Sequence, residues 1–148
     1  METLIFDIVE TARQLRRAFD RRAGALGATP AQWRLLARLA RKGDGQRQVD
    51  LAEGLDVEPI TLCRMVDRLE ESGLVERRRD EEDRRAWRIF LTPKAEPIIE
   101  DVQALGDAFH DDVLAGVSGD QVEAAQRVLA AMRDNLNQGG EGAARKVS

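Results

Sequence analysis

Apolar side chains recur along this chain at two periods, and the switch between them divides it. Ile5, Ile8, Ala12, Leu15 and Phe19 fall three and four apart, which places one apolar stripe on a first helix running to about Arg22, with mostly arginine opposite. Gly24 and Gly27 end that helix. Thr29-Pro30-Ala31-Gln32 then combines an N-cap hydroxyl, a first-turn proline and a glutamine three residues on, the pattern of a capping box. A second helix begins there, carries Trp33, Leu36, Leu39 and Ala40, and stops at Gly43. A short third helix covers Val49, Leu51 and Ala52, and Asp56 falls at a turn that suits a residue tolerant of left-handed backbone. The fourth helix spans about 58–72, with Pro59 in its first turn and Leu62, Val66 and Leu69 as its core face.

Beyond Gly73 the period becomes two. Trp87, Ile89 and Leu91 alternate with Arg88 and Phe90, predicting a strand, and residues 74–79 are its partner across the polar link Asp80-Glu81-Glu82-Asp83-Arg84. Thr92-Pro93 caps a fifth helix bearing Ile98, Val102, Leu105, Phe109 and Val113, which Gly116 closes. Ser118-Gly119-Asp120-Gln121 repeats the capping box, and Val122, Ala125, Leu129, Met132 and Leu136 give a sixth helix its stripe. Residues 138–148 have no periodic face and read as a disordered tail. The fold class expected is mostly α with a small β-hairpin, in the order α-α-α-α-β-β-α-α of a winged helix-turn-helix with added helices.

At 148 residues, 43 % hydrophobic and 34 % charged, the chain has the size and balance of a single domain. One cysteine, Cys63, excludes an internal disulfide, no stretch reads as a signal peptide, and no apolar run approaches the ~20 residues of a membrane span. A soluble cytoplasmic protein with no membrane partner is expected. With a single histidine, His110, and no tyrosine, no nucleophile–base pair can be assembled. The expectation is therefore no enzyme, no catalytic residue, no cofactor and no metal. Cys63 reads as a small buried filler whose one basic neighbour is Arg64, and the arginine face of the first helix reads as solvated.

The net charge of −4 argues against nucleic acid until its distribution is considered. Residues 13–47 hold ten basic side chains against two acids, whereas 96–123 hold eight acids and no Lys or Arg. Exposed charges farther apart than a Debye length of about 8 Å act almost independently, so a net-acidic chain still offers a basic face. Off the core face of the fourth helix, Thr61, Arg64 and Arg68 are spaced three and four apart and point one way. A major groove ~12 Å wide admits such a helix, with Arg64 suited to guanine and Arg68 to phosphate. The run Arg77-Arg78-Arg79 adds a phosphate-facing candidate beside the hairpin.

These features carry a resemblance to the MarR family of bacterial regulators, within it to the SlyA-like branch. The family's wing pattern of Asp, any residue, Arg, five residues and Leu-Thr stands here as Asp83-Arg84-Arg85-Ala86-Trp87-Arg88-Ile89-Phe90-Leu91-Thr92. The SlyA-like character lies in residues 29–33, in Lys94-Ala95-Glu96-Pro97 and in Leu114-Ala115-Gly116-Val117-Ser118, and the likeness covers about 13–136. Two positions depart from the pattern: Arg47 stands where a Ser or Thr cap of the third helix is usual, and Asp56 where glycine is usual.

The resemblance implies that Arg85 enters a minor groove at the wing tip and that Asp83 holds the wing and Arg85 through a buttressing ion pair. The DNA-contacting set expected is Pro59, Thr61, Arg64, Arg68, Arg78, Arg84 and Arg85. It also implies a cleft beside the second helix, with Arg17, Trp33, Leu36 and Phe109 as candidates for a small-molecule effector of aromatic carboxylate type. The organisation expected is an N-terminal dimerisation helix (1–28), a winged helix-turn-helix (29–92), C-terminal dimerisation helices (93–137) and the tail. The partners are double-stranded DNA, a second copy of the chain in a homodimer on a palindromic site, and the effector. The competing reading is a ligand-binding or protein-interaction module of the same shape with no specific DNA role.

Overall fold

The computed structural model describes residues 3–27 and 29–144, with side chains to residue 139. Its elements are α1 (Leu4–Ala25), α2 (Pro30–Lys42), β1 (Gln46–Arg47), α3 (Gln48–Gly54), α4 (Pro59–Glu71), β2 (Val75–Arg79), β3 (Trp87–Leu91), a 3₁₀ turn (Pro93–Ala95), α5 (Glu96–Val113) and α6 (Gly119–Ala144). They divide into two compact units, Met1–His110 and Asp111–Ser148.

In the first unit the local signals hold. Thr29 Oγ1 accepts the Gln32 N–H at 3.2 Å while Gln32 Oε1 accepts the Thr29 N–H at 3.1 Å, so two otherwise orphaned donors of α2 are satisfied. Asp56 adopts φ 53°, the left-handed conformation that lets the chain turn from α3 into α4. Leu35, Leu36 and Leu39 of α2, Leu51 of α3, and Leu62, Val66 and Leu69 of α4 then meet Val75 and Ile89 from the sheet in one buried cluster. Each such aliphatic side chain contributes about 1.5–3 kcal/mol through burial, so this cluster fixes how α4 and the strands are carried.

The sheet has three strands rather than the expected two. Its order is β1-β3-β2, all antiparallel, with Gln46 opposite Ile89, Arg47 opposite Arg88, and Arg78 opposite Arg88 from the other side. A two-residue strand has no periodicity of its own; β1 exists because β3 pairs with it. Gly45 precedes it at φ 75°, and a Cβ there would lie 2.8 Å from the Phe90 ring, so glycine is required by both backbone and space. Asp44 Oδ1 accepts the N–H groups of Gly45 at 3.1 Å and Leu91 at 2.8 Å, closing this edge.

Two further expectations are corrected. Thr92-Pro93 opens a 3₁₀ turn and α5 starts at Glu96; the Thr92 hydroxyl donates to the Gly73 carbonyl at 2.6 Å instead of capping a helix. In the second unit the capping box at Ser118 and Gln121 is formed, with bonds of 3.2 and 3.0 Å. From there α6 continues to Ala144, through residues 138–144 that the sequence reads as tail. No proline interrupts them and two alanines close the helix, whereas residues 145–148 lie outside the described residues.

Candidate nucleic-acid interface

The face of α4 opposite Leu62, Val66 and Leu69 is exposed and carries Thr61, Arg64 and Arg68. These three border a cleft of about 340 Å³ that also involves Arg34 of α2 and Leu55, Val57 and Met65. Pro59 is exposed at the start of the helix, and both Arg84 and Arg85 are exposed in the link between β2 and β3. Among the described residues the guanidinium groups of Arg64, Arg68, Arg84 and Arg85 make no ion pair and no hydrogen bond.

The run Arg77-Arg78-Arg79 does not act as one group. Strand alternation turns Arg77 inward, where only 14 % of its side chain is exposed. It bonds Asp67 of α4 at 2.5 Å, Glu70 Oε1 at 3.3 Å, Gln48 Oε1 at 3.2 Å and the Cys63 carbonyl at 3.0 Å. Arg77 is thus a strap between β2, α3 and α4, which corrects the reading of the whole run as phosphate-facing. It also lies 3.6 Å from Cys63 Sγ, so the half-buried thiol has a basic neighbour that sequence spacing did not reveal. Arg78 lies over the Phe90 ring at 4.2 Å and pairs with Glu76, and Arg79 lies over Trp87 at 4.5 Å.

The acid that organises the wing is Asp80. Arg47, Arg88 and Arg78 stand side by side across the three strands, an arrangement that like charges oppose. Asp80, only 2 % exposed, accepts from Arg47 Nε and Arg88 Nε at 2.9 Å each through Oδ2. Its Oδ1 accepts the N–H groups of Glu82 at 2.9 Å and Asp83 at 3.3 Å. The Glu82 and Asp83 N–H bonds and the two guanidinium charges outweigh burial and hold its carboxyl down at about 2. Asp83 touches Arg85 differently from the expectation: its Oδ1 accepts the Arg85 backbone N–H at 3.0 Å, a turn-forming bond and no ion pair. Sequence reasoning missed Asp80 because it stands in a run of acids, and only the fold brings Arg47 to it across 33 positions.

A second site lies between α1, α2 and α5. A cleft of about 270 Å³ is lined by Phe19, Trp33, Ala37, Ala40, Arg41, Ile99, Val102, Gln103 and Gly106. Asp20 ties its wall together, accepting Trp33 Nε1 at 3.0 Å and Arg34 Nη2 at 2.9 Å. Of the four effector candidates only Trp33 lines this cleft. Leu36 is fully buried in the core, where a leucine on the inner face of α2 belongs. Phe109 packs edge-on against Phe19 at 5.3 Å with Arg22 over its ring at 5.0 Å, and Arg17 is exposed on α1 outside the lining.

Comparison with known proteins meets this geometry at the wing and the helices that carry it. The family model described as MarR family matches residues 28–87. A solved structure of the transcriptional regulator PA3341 is 40 % identical, covering 88 % of this chain and 96 % of that one with a TM-score of 0.81. The chain belongs to the MarR family of transcriptional regulators. A MarR transcriptional regulator from Methanosarcina mazei Go1 is 27 % identical over 88 % of this chain and 96 % of its own, at a TM-score of 0.75. A more distant likeness in fold alone is the organohalide-sensing regulator RdhR in its 2,4-dichlorophenol-bound form, 20 % identical over 89 % and 78 % of the two chains at a TM-score of 0.70.

Proposed function

We propose that this MarR-family chain is a homodimeric regulator that binds palindromic promoter DNA. In this reading α4 lies in a major groove with Thr61, Arg64 and Arg68 toward the duplex and Pro59 at its leading end, and the β2–β3 wing sends Arg84 and Arg85 into the adjacent minor groove. Arg78 stands beside the backbone. The observation that carries it is the set of exposed guanidinium groups on α4 and at the wing tip that have no carboxylate partner among the described residues, while Arg77, Arg78 and Arg88 of the wing strands are each held by a carboxylate. A second copy is invoked because α1 exposes Leu4, Ile5, Phe6 and Val9 and α6 exposes Val128, Leu129 and Leu136, apolar positions that a partner's helices would cover. Two-fold symmetry then sets two α4 helices about one DNA turn apart.

The cleft walled by Phe19, Trp33 and Val102 supports effector binding: it is apolar, has Arg41 at its edge, and suits a small aromatic acid or phenol of the kind bound in the RdhR structure. An effector alters DNA affinity only by preferring one arrangement of the two recognition helices. Placement in the SlyA-like branch rests on the sequence motifs and placement in the cytoplasm on the single cysteine, which suits a reducing compartment; no helix among the described residues is long and apolar enough to cross a membrane.

Selection of bound duplexes from a random pool at near-physiological salt tests the proposal. It should return an inverted repeat whose affinity falls steeply with salt, by a log–log slope of roughly −0.9 per phosphate contact. Recovery of no sequence preference and no salt dependence would sink the DNA reading and favour the ligand-binding module.

A further inference from the structure

Asp20 of α1 stands between two clefts. Its Oδ1 accepts the indole N–H of Trp33 at 3.0 Å, and its Oδ2 accepts Arg34 Nη2 at 2.9 Å. The two donors are neighbours in sequence, so on a helix they point about 100° apart and reach different surfaces. Trp33, packed on Phe19 at 4.5 Å, lines the cleft between α1, α2 and α5, whereas Arg34 borders the cleft on the α4 face with Thr61, Arg64 and Arg68. One carboxylate is therefore the shared anchor of a side chain from each cleft. Asp20 and Arg34 are both partly buried, where a charged bond is screened less than at the surface. The grip on Arg34 is incomplete: its Nε is buried with no hydrogen bond among the described residues, a cost that another position of the guanidinium relieves. Arg34 also shares its cleft with the charges of Arg64 and Arg68, and Asp20 is the acid that pairs with it.

We propose that Asp20 is the positioning residue through which occupancy of the Trp33 cleft is felt at α4. The proposal rests on the effector and DNA readings and names the connection between them. A ligand seated against Phe19 and Trp33 shifts the indole. The carboxylate bound to that indole cannot follow without loosening Arg34, because the two donors share one planar acceptor. A loosened Arg34 brings a guanidinium without a carboxylate beside Arg64 and Arg68, and like-charge repulsion, together with a bond regained at Nε, then favours another placement of the side chains on this face. The ligand thus distinguishes two states of the cleft on α4, which is what any effect on DNA affinity requires. This path runs inside one protomer.

The test fills the cleft with a side chain. Gly106 lines it on α5 with Val102 and Gln103, and a Cβ there would meet nothing within 4 Å, so Gly106→Phe places a ring in the cleft as a tethered stand-in for a ligand. With the full-length protein and the duplex recovered by selection, Gly106→Phe should change DNA affinity by about fivefold or more relative to the parent. Asp20→Asn keeps the size of the side chain and an oxygen for the Trp33 N–H but loses the charge that holds Arg34. In that background the same substitution should change affinity by less than about twofold. An equal change in both backgrounds overturns the role of Asp20 and leaves the effector reading standing, whereas no change in the parent background removes both. Absence of salt-dependent binding by the parent to any duplex removes the DNA reading, and the connection with it. If Gly106→Phe fails to fold, fluorine NMR of protein carrying fluorotryptophan decides, since coupling is reciprocal and DNA must then be felt at the indole. The resonance assigned to Trp33 through Trp33→Phe should shift when the duplex is added to the parent and stay in place in Asp20→Asn. A resonance unmoved in the parent, or moved equally in both proteins, overturns the proposal.

Discussion

The base and the tip of the wing are built from the same residue type put to opposite uses. At the base, Arg88 donates to Asp80 and the Gly45 carbonyl, and Arg77 is gripped by Asp67 and Glu70. At the tip Arg84 and Arg85 have no carboxylate partner among the described residues, and the same holds for Arg64 and Arg68 on α4. The difference teaches that a count of arginines does not measure the charge available to a ligand. An exposed unpaired guanidinium costs the fold little because water solvates it, yet its donors stay open; a buried one has spent them on the protein.

The sharpest way to break this division is at the base. Ile89→Ala empties a fully buried position on the central strand and should cost about 2–5 kcal/mol in denaturant unfolding. Arg77→Ala should cost about 1.5–3 kcal/mol by removing charged hydrogen bonds between the strand and two helices, while the remaining folded protein binds DNA like the parent. A stable Arg77→Ala variant with weakened DNA binding would merge base and tip into one surface.

At the tip and on α4 the reverse is expected. Arg64→Ala and Arg85→Ala should stay within about 0.5 kcal/mol of the parent in stability. Arg64→Ala should lose ~1–3 kcal/mol of discrimination at one base position per half-site, and Arg85→Ala should bind narrow-minor-groove sites less tightly, both measurable by binding titration on single-substituted duplexes. The smallest effect is one of pH. The Asp80 carboxyl sits at about 2 in the fold against an ordinary 3.8, chiefly through its backbone bonds to Glu82 and Asp83 and then the Arg47 and Arg88 charges. Its contribution to stability is therefore complete above about pH 4 and is lost as pH falls from there toward 2. The stability difference between the parent and Asp80→Asn should shrink over that window; a constant difference would place the role of Asp80 in shape and not in charge.

Much of the scaffold was legible in the chain. The box at Thr29 and Gln32, the left-handed Asp56 and the apolar face of α4 are local patterns whose partners lie within a few residues, so period and spacing suffice to read them. Strand β1 was not legible, since Gln46 and Arg47 become a strand only through Ile89 and Arg88. The effector cleft was read in part. Trp33 lines it, but Leu36 was read as lining when the inner face of α2 takes it into the core, and Phe19, Ile99 and Val102 come from helices whose approach no spacing encodes.

By itself, then, the sequence determined the helices, the hairpin and the exposed row Thr61, Arg64 and Arg68, because backbone hydrogen bonding and side-chain period act over one or two turns. Only the tertiary structure decided which arginines remain available for binding. That choice depends on where Asp80, Asp67 and Glu70 come to lie, and a charge pair forms by distance in space, to which distance along the chain is indifferent.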